Sequence, residues 1–372
     1  MKKIKSTNQF PPISVVVIGL NVTPFLSSCL TAIKKSDYPQ DKLELIYVDS
    51  GSTDGSHEIA QKSNRVKLIE LNSKSPSAAK GRNAGFKAAR YDLIQFVDAD
   101  SYLHPKWLKT AVEALDDEVA AVAGSLRERN PERNIFHRMA NLEWNLRVGP
   151  NGWTTTRSEA KTFGGNVMIQ RASLKVLQGY DETLVAGEDP DLSYRLRKTG
   201  KKILRLNTEM ASHDINIDGL SKFLKRSRRS GFAYTQLAWR YLGTPERFML
   251  NRVMRIVFSA LTPLTFIVVG ILNNQVSMGL LLGLLFAFRL VFKTGKFSRM
   301  FNISKKLALG YSLYLTLAIY PQFAGLLQAL WQIYSKQLFT KKTGSQRHLV
   351  TKQQKRSLWS FKSSDLRGTK SL

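Results

Sequence analysis

The amino-terminal half of the chain alternates between short apolar runs and segments whose apolar residues recur at helical spacing. Residues 13–20 form a β-branched run after two prolines, and residues 43–48 form a second apolar run. Between them, residues 24–35 carry apolar side chains three and four positions apart. A strand, a helix and a strand in this order predict a parallel sheet with a crossover helix.

The same pattern predicts the other elements of an α/β domain. Further strands are expected at residues 66–71, 93–97, 120–126, within 163–170 and at 202–206. Further helices are expected at residues 56–63, 77–89, 103–115 and 187–200. Pro105 would lie in the first turn of the helix at residues 103–115. Residues 130–158 show a weak pattern, which predicts a loop-rich region.

The carboxyl-terminal part of the chain has a different composition. Residues 253–272, 276–292 and 307–334 are long apolar runs, and Pro321 interrupts the third. Each run approaches the roughly 20 residues that an α-helix needs to cross a bilayer. Buried core helices are the alternative, but three such runs in succession favour transmembrane helices. Residues 221–241 mix aromatic residues with arginines, which predicts an amphipathic helix at the membrane interface.

These changes in composition divide the chain into four parts. We expect an α/β domain at residues 1–220, an interfacial segment at 221–250, transmembrane helices at 251–335 and a basic tail at 336–372. The basic loop after the second apolar run and the basic tail both favour the cytoplasm, which three crossings cannot satisfy. Either the third run re-enters or makes two short passes around Pro321, or the tail is exported.

The formal net charge is +28, from 56 Lys and Arg against 28 Asp and Glu. Such a charge often indicates nucleic-acid binding, but here the basic residues flank and interrupt the apolar runs. That distribution favours the anionic cytoplasmic leaflet of a membrane as the partner and not nucleic acid. The single cysteine, Cys29, excludes an internal disulfide and fits a reducing compartment. Because the start lacks a signal-peptide run, we expect a multi-pass protein of the cell membrane with its first domain in the cytoplasm.

Two carboxylates follow the predicted strand at residues 93–97. Asp98 and Asp100 come directly after it and are separated by Ala99. Because side chains alternate along an extended chain, the two carboxylates point the same way and can share one hard divalent cation. The carboxyl end of a parallel sheet is where such folds bind ligands. The sequence therefore predicts a site for a divalent cation, and a cation held there would neutralise the charge of a bound diphosphate.

Four motifs occur in one order: VDSGSTDGS at 48–56, GRNAGFKAARYDLIQFVDAD at 81–100, FGGN at 163–166 and GEDPDLSYRLRKTG at 187–200. A DxD pattern alone occurs by chance, but the order and spacing of all four resemble glycosyltransferase family two, in its membrane-anchored bacterial or archaeal type. The resemblance covers about residues 13–213. It implies a GT-A fold, which is an α/β, Rossmann-like domain with a mostly parallel sheet, here followed by transmembrane helices. It also implies a nucleotide-diphosphate sugar donor, a Mg²⁺ or Mn²⁺ ion and inversion at the anomeric carbon.

The resemblance assigns residues to the donor side of the site. Asp98 would contact the ribose or the metal, Asp100 would bind the metal, and Asp49 would bind the base or the ribose. Asn21 and Arg82 would line the nucleotide and its diphosphate. The family often has a second acidic residue after the first motif's aspartate, where this chain has a serine, so the preferred base is left open.

The resemblance also assigns residues to the reaction itself. Glu188 and Asp189 match the family's ED pair, with Asp189 as the catalytic base. Displacement with inversion needs a base opposite the leaving diphosphate that accepts the proton of the acceptor hydroxyl. Favourable charges at a helix N-terminus are the alternative role for this pair. Asp191, two positions further on, is expected to orient the following helix or its neighbours. His213 lies where many relatives place a third metal ligand, and it also fits an ordinary loop histidine.

The acceptor side is expected at Gly164, Gly165 and Asn166, where glycine lets an acceptor approach the backbone closely. Processive relatives carry a QxxRW motif where this chain has RSRRSGFAY, which argues against a polymer-extruding synthase. We therefore expect transfer of a single sugar to a lipid-linked or glycan acceptor at the membrane, in the synthesis of a cell-envelope polysaccharide or glycolipid.

Three other classes of protein are less favoured. A dehydrogenase is disfavoured because IGLNVTPF, and not GxGxxG, follows the first strand. A nucleic-acid binder would leave both carboxylate pairs unexplained. The main alternative is a catalytically inactive, membrane-anchored nucleotide-sugar-binding or scaffold protein, and the intact carboxylates at positions 98, 100, 188 and 189 speak against it.

Overall fold

The structure, a computed structural model, describes residues 10–144, 153–272 and 276–342 of the chain. Its first elements are β1 (Ile13–Gly19), α1 (Thr23–Lys34), β2 (Leu43–Asp49), α2 (Ser56–Lys62), β3 (Val66–Glu70), α3 (Ala78–Ala88) and β4 (Leu93–Asp98), with a 3₁₀ turn at Gln40–Lys42. Strands β3, β2, β1 and β4 lie side by side in that order and pair in parallel. This part of the predicted parallel sheet is confirmed.

Strand β1 is buried on both faces because helices cover both sides of the parallel sheet. Val15 and Val17 belong to the same buried cluster as Leu30 of α1. Val16 points to the opposite face, where α3 crosses so closely that a Cβ on Gly85 would lie 2.1 Å from Val16 Cγ1. The alternation of side chains along the strand explains why a continuous apolar run is needed here.

The second half of the sheet is mixed. Its elements are β5 (Ser101–Leu103), α4 (Trp107–Glu113), β6 (Val119–Glu128), α5 (Ile135–Trp144), β7 (Trp153–Glu159), β8 (Val167–Gln170), α6 (Arg171–Leu177), α7 (Glu188–Lys198) and β9 (Lys202–His213). The sheet continues from β4 through β8, β6, β9 and β5, and β7 pairs with β9. Strand β8 is antiparallel to β4 and β6, whereas β6 and β9 are parallel. The α/β class is confirmed.

The helix predicted at residues 103–115 is shorter than expected. It begins at Trp107, so Pro105 precedes the helix and does not lie in its first turn. The reason is tertiary pairing: the three residues of β5 bond antiparallel to residues 211–213 of β9. A strand this short leaves too little periodicity for the sequence pattern to reveal it.

The prediction of a loop-rich region at residues 130–158 is wrong for the part that the structure describes, because that part contains α5 and most of β7. Residues 145–152 of this region lie outside the described residues. Strand β9 is longer than predicted and continues beyond residue 206 to His213. Its second half is held by pairing with β6 on one side and β5 on the other. That extension carries His213 to the edge of the sheet where β4 ends.

Five helices complete the described chain: α8 (Leu220–Arg240), α9 (Leu250–Leu272), α10 (Val276–Phe301), α11 (Lys305–Leu317) and α12 (Ile319–Lys342). By length and composition, two helical stretches of the described residues could cross a membrane, Leu250–Leu272 and Lys305–Ser335. Core helices pass the same test, so the transmembrane helices remain a prediction. The third apolar run is divided at Ala318 between α11 and α12. Pro321 lies in the first turn of α12, a position that proline tolerates.

The amphipathic helix predicted at residues 221–241 is α8, and much of its apolar face packs on the protein. Phe223, Phe232 and Leu237 are buried, whereas Trp239 is 49% exposed. Its location at a membrane interface remains a prediction.

Helices α8 and α12 touch through their backbones. A Cβ on Gly231 of α8 would lie 2.0 Å from the carbonyl oxygen of Gln322. A Cβ on Gly325 of α12 would lie 1.9 Å from the carbonyl oxygen of Arg228. Only glycine permits this approach, so the two residues fix how the last helix docks on α8.

Candidate active site

The DxD carboxylates lie at the carboxyl end of β4, in the middle of the sheet. Asp98 pairs in register with Ile18 of β1, and the Ala99 N–H donates to the Ile18 carbonyl at 3.0 Å. Ala99 is buried, whereas the side chains of Asp98 and Asp100 are each 31% exposed. The two carboxylates thus face the same side, as the alternation along an extended chain predicts.

His213 completes a group of three possible metal ligands. The pairing of β5 with β9 sets Ser101 opposite His213, which brings the imidazole to the DxD turn. Ligand atoms of Asp98, Asp100 and His213 all lie within 4.8 Å of one another. The three residues therefore lie close enough together to bind one cation, as the sequence predicts.

The donor set suits a hard divalent cation. Asp100 Oδ1 lies 3.2 Å from His213 Nε2 and has no well-formed hydrogen bond in the described part of the chain. Burial opposes protonation of His213, but the charge of Asp100 outweighs it and raises the pKa of the imidazole. A cation bound between the Asp100 carboxylate and the His213 imidazole would supply the positive charge that the proton on His213 supplies without it. Two carboxylates and one imidazole fit Mg²⁺ or Mn²⁺.

Arg82 of α3 joins the cation site to the start of α7. Its guanidinium donates from Nη2 to Asp98 Oδ1 at 2.8 Å and from Nη1 to Glu188 Oε1 at 3.0 Å, and Nη1 lies 3.4 Å from Asp189 Oδ1. Although burial alone would lower the pKa of Arg82, Asp189 and Asp98 raise it well above its ordinary value. The arginine therefore stays charged, and the face of Tyr180 lies 5.5 Å from it.

The acidic pair stands at the N-terminus of α7, which begins after Gly187 with φ 88°. Burial raises the pKa of Asp189 to about 8, against the opposing charge of Arg82 and with the support of Glu188 and Asp98. The unusual environment is a mark of functional carboxylates, as well as of structural ion pairs. Asp189 is therefore a stronger base than an exposed aspartate.

Asp191 has a different role, as expected from the sequence. It is fully buried, accepts a hydrogen bond from Arg195 Nε at 2.7 Å and another from the Tyr241 hydroxyl at 2.6 Å. Because Tyr241 directly follows α8, these bonds orient α7 against that helix.

The FGGN segment approaches the DxD turn at one of its two glycines. A Cβ on Gly165 would lie 2.2 Å from Asp98 Oδ2 and 2.3 Å from Arg82 Nη2, whereas one on Gly164 would meet nothing within 4 Å. Asn166 is 3% exposed, accepts from the Asp98 N–H at 3.1 Å and donates to Ser101 Oγ at 3.0 Å. Both ends of its amide are engaged inside the protein, so a positioning role fits Asn166 better than the predicted acceptor contact.

The expected nucleotide side lies where β1 and β2 end. Asp49 is buried; one carboxylate oxygen accepts from the Gly51 and Ser52 N–H groups at 3.1 and 2.8 Å, and the other from the Tyr47 hydroxyl at 3.1 Å. Asn21, with φ 55°, accepts from the Thr53 N–H at 2.9 Å. Both side chains therefore shape the loop after β2, beside the space where a nucleotide is expected.

Two aromatic residues outside the four motifs contact the site. Tyr180 covers Arg82, and its backbone N–H and carbonyl are both bonded to the Asn83 amide, at 2.8 and 2.9 Å. Trp144, at the end of α5, points its ring edge at His213 with 5.0 Å between ring centroids. These contacts join residues distant in sequence, and no local pattern marks them.

The fold, the DxD turn and the acidic helix start define a glycosyltransferase domain of the GT-A type. Residues 14–177 match the model of glycosyl transferase family 2. This match agrees with the family resemblance carried by the four motifs.

Similar proteins agree with this assignment. The chain is 28% identical over 214 residues to the probable glycosyltransferase YdaM of Bacillus subtilis, which covers 54% of this chain and 50% of YdaM. It is 25% identical over 253 residues to the glycosyltransferase AglE of Haloferax volcanii, which covers 66% of this chain and 79% of AglE. The chain thus spans half the length of YdaM.

A solved structure shares the fold. The mannosyltransferase PcManGT from Pyrobaculum calidifontis, in complex with GDP-Man and Mn²⁺, matches with a TM-score of 0.61 and 19% identity. The match covers 87% of this chain and 88% of PcManGT, so it extends past β9 into the carboxyl-terminal helices.

Proposed function

We propose that the protein transfers a sugar from a nucleotide-diphosphate sugar to an acceptor hydroxyl, with inversion at the anomeric carbon and with the aid of a divalent cation. The observation that carries the proposal is the bridge made by Arg82. Its guanidinium contacts both Asp98, one of three residues that could hold a cation, and Asp189, a buried carboxylate of raised pKa.

Asp98, Asp100 and His213 would hold Mg²⁺ or Mn²⁺, which supplies charge neutralisation at the leaving diphosphate. Other residues of the chain would bind and orient the donor. Arg82 would donate to diphosphate oxygens, which would replace some of the carboxylate oxygens that its terminal nitrogens now contact. Asn21 and Asp49 would orient the nucleotide, because they shape the loop after β2.

Asp189 is the proposed general base. An inverting displacement requires that the acceptor oxygen loses its proton as it attacks. A carboxylate with a pKa of about 8 is a stronger base than an ordinary aspartate, and the fraction that is ionised and able to accept the proton grows as the pH approaches 8. Departure of Arg82 toward a bound diphosphate would free Asp189 Oδ1 for the acceptor hydroxyl. Glu188, which retains the other contact to Arg82, would keep the guanidinium within reach.

We propose that the acceptor is lipid-linked, or a glycan at the membrane, and that one sugar is added at each encounter. Support comes from the two stretches long enough to span a bilayer and from the basic residues that flank the apolar runs. In this arrangement the protein is a multi-pass cell-membrane protein whose catalytic domain faces the anionic cytoplasmic leaflet. Gly164 and Gly165 would border the acceptor, and the pathway would be that of a cell-envelope polysaccharide or glycolipid.

The test is nucleotide release by the full chain, purified in detergent, from UDP-, GDP- and dTDP-sugars with Mn²⁺ or Mg²⁺. Turnover of one donor that requires the cation and is lost in Asp100→Ala is expected. Addition of membrane lipid as acceptor should raise the rate in the unaltered protein and not in Asp189→Asn. If no donor is bound or turned over, the alternative of a scaffold protein without turnover becomes the better description.

A further inference from the structure

A second buried polar cluster lies behind the cation site. Glu128 at the end of β6, His137 on α5 and Asp214 after β9 are 1%, 0% and 4% exposed. Their potential ligand atoms lie within 4.8 Å of one another. None of these three residues belongs to the sequence motifs, and the proposed reaction does not use them.

Hydrogen bonds join Glu128, His137 and Asp214 to one another's neighbours and to nearby backbone, and we call these three residues the polar anchor. Glu128 Oε1 lies 2.8 Å from His137 Nδ1 and accepts from the Asn130 N–H at 3.1 Å, while Oε2 accepts from the Ile215 N–H at 3.1 Å. Asp214 accepts from the Asn216 N–H at 2.7 Å and from the Asn130 side chain at 3.3 Å. Every carboxylate oxygen of the cluster already has a donor, so the two carboxylates are poorly placed to bind a second ion, whereas His137 Nε2 has no hydrogen-bond partner among the described residues.

The anchor holds the segment that carries His213. Glu128 pairs in register with His213, and the Arg129 N–H donates to the His213 carbonyl at 3.0 Å. The Glu128 side chain holds the Ile215 N–H, two residues further on. The backbone at His213 and two residues beyond it is therefore held by Arg129 and Glu128.

Helix α5 is fastened to the same segment. Asn134 Nδ2 donates to the Ile217 carbonyl at 2.9 Å, and the Glu128 N–H donates to Asn141 Oδ1 at 3.2 Å. At the end of this helix the Trp144 ring stands against His213. The bond between His137 and Glu128 is thus one of three hydrogen bonds that tie α5 and the residue before it to β6 and to the segment after β9.

We infer that Glu128 and His137 are positioning residues for the metal ligand His213. The inference rests on the cation site proposed above. Loss of the His137–Glu128 bond lets the imidazole move relative to Asp98 and Asp100, and the cation loses one well-placed ligand. Partners of this kind, one step removed from a metal, typically change its affinity by about 10–100-fold.

The experiment measures Mn²⁺ binding to the full chain without donor or acceptor, from the electron paramagnetic resonance signal of the free ion. His137→Phe should weaken binding about tenfold. His137→Asn keeps an N–H donor near the position of Nδ1 and should recover most of the affinity. Glu128→Gln should also weaken binding, because its amide can no longer accept from all three donors.

Glu44→Gln is the matched control. Glu44 is also a buried carboxylate with three donors, from Ser14 and Arg90, but it lies at the amino-terminal end of β2, away from the site. Its replacement should leave Mn²⁺ affinity within about twofold. Should His137→Phe fail to fold, the comparison of Glu128→Gln with Glu44→Gln decides the question.

A double variant separates positioning from general damage. In a His213→Ala background, His137→Phe should weaken Mn²⁺ binding no further. A further loss would show that the cluster acts on the whole fold and would overturn the inference, as would unchanged binding in both His137→Phe and Glu128→Gln. If the unaltered protein binds no Mn²⁺ while remaining folded, the proposed cation site itself fails, and the inference fails with it.

Discussion

Gly165→Ala tests whether the FGGN segment sets the position of the DxD carboxylate. The new methyl group would start 2.2 Å from Asp98 Oδ2, whereas carbon and oxygen atoms approach closest at about 3.3 Å. Asp98 must therefore move by roughly 1 Å. Arg82 Nη2, only 2.3 Å from the same methyl, blocks a simple relaxation because it is bonded to the carboxylate that has to move.

The expected cost falls on function and not on stability. The clashing atoms are the ends of side chains, so the free energy of unfolding should change by only about 1 kcal/mol. A misplacement of about 1 Å in a reacting group lowers turnover about 10²-fold, or ~2.7 kcal/mol in the activation barrier. The affinity for Mn²⁺ should fall as well, because Asp98 is one of the three proposed ligands.

The assay is Mn²⁺ affinity together with metal-dependent hydrolysis of the donor in the absence of acceptor. Gly164→Ala is the matched control for Mn²⁺ affinity and for thermal unfolding, since a methyl group there meets nothing within 4 Å. Equal Mn²⁺ affinities for the two variants, with unimpaired hydrolysis in Gly165→Ala, would refute the idea that the glycine is required by Asp98.

Four further outcomes are expected. Asp189→Asn should reduce transfer to acceptor by about 10²–10⁴-fold while Mn²⁺ still binds, and unchanged transfer would remove Asp189 as the base. In the unaltered protein, kcat/KM should rise with pH up to about 8, the pKa of Asp189. The pKa of Asp189 in the folded protein lies above its pKa in the unfolded chain, so the protonated form stabilises the fold. This contribution to the free energy of unfolding is complete below about pH 4 and is lost as the pH rises to about 8. The decline in Tm over this range should be smaller in Asp189→Asn, and identical declines would contradict the assignment. Gly231→Ala should lower Tm because its Cβ would lie 2.0 Å from the Gln322 carbonyl, whereas Gly295→Ala, with nothing within 4 Å in α10, should be neutral or stabilising by up to about 1 kcal/mol.

The parallel half of the fold could be predicted because its signals are local. Continuous apolar runs mark β1, β2 and β4, since each strand buries both faces. The position of Asp98 and Asp100 follows directly, because a parallel strand delivers whatever follows it to the ligand-binding edge. Asp191 was assigned to orienting α7 on the same kind of local argument.

The mixed half could not be predicted in the same way because its elements depend on distant partners. Strand β5 exists through bonds to residues 211–213, and β9 continues past Leu206 through polar residues that hold no apolar alternation. The bond between Arg82 and Glu188 joins side chains 106 positions apart. The roles of Tyr180 and His137 likewise depend on packing that no local pattern records.

The ion pairs of Arg82 have a consequence for the order in which ligands arrive. One guanidinium faces Asp98, Glu188 and Asp189, and Asp100 lies nearby beside His213. Even with Asp189 protonated and His213 positively charged, the three carboxylates of Asp98, Asp100 and Glu188 outnumber the positive charges of Arg82 and His213. A nucleoside diphosphate is itself an anion and would be repelled from this site. Addition should therefore be ordered, with the divalent ion entering before the nucleotide or together with it, and the spent nucleotide should leave with an ion attached. Calorimetric titration of nucleoside diphosphates in EDTA should then show little binding, and tight binding under that condition would instead indicate that the ligands enter in random order.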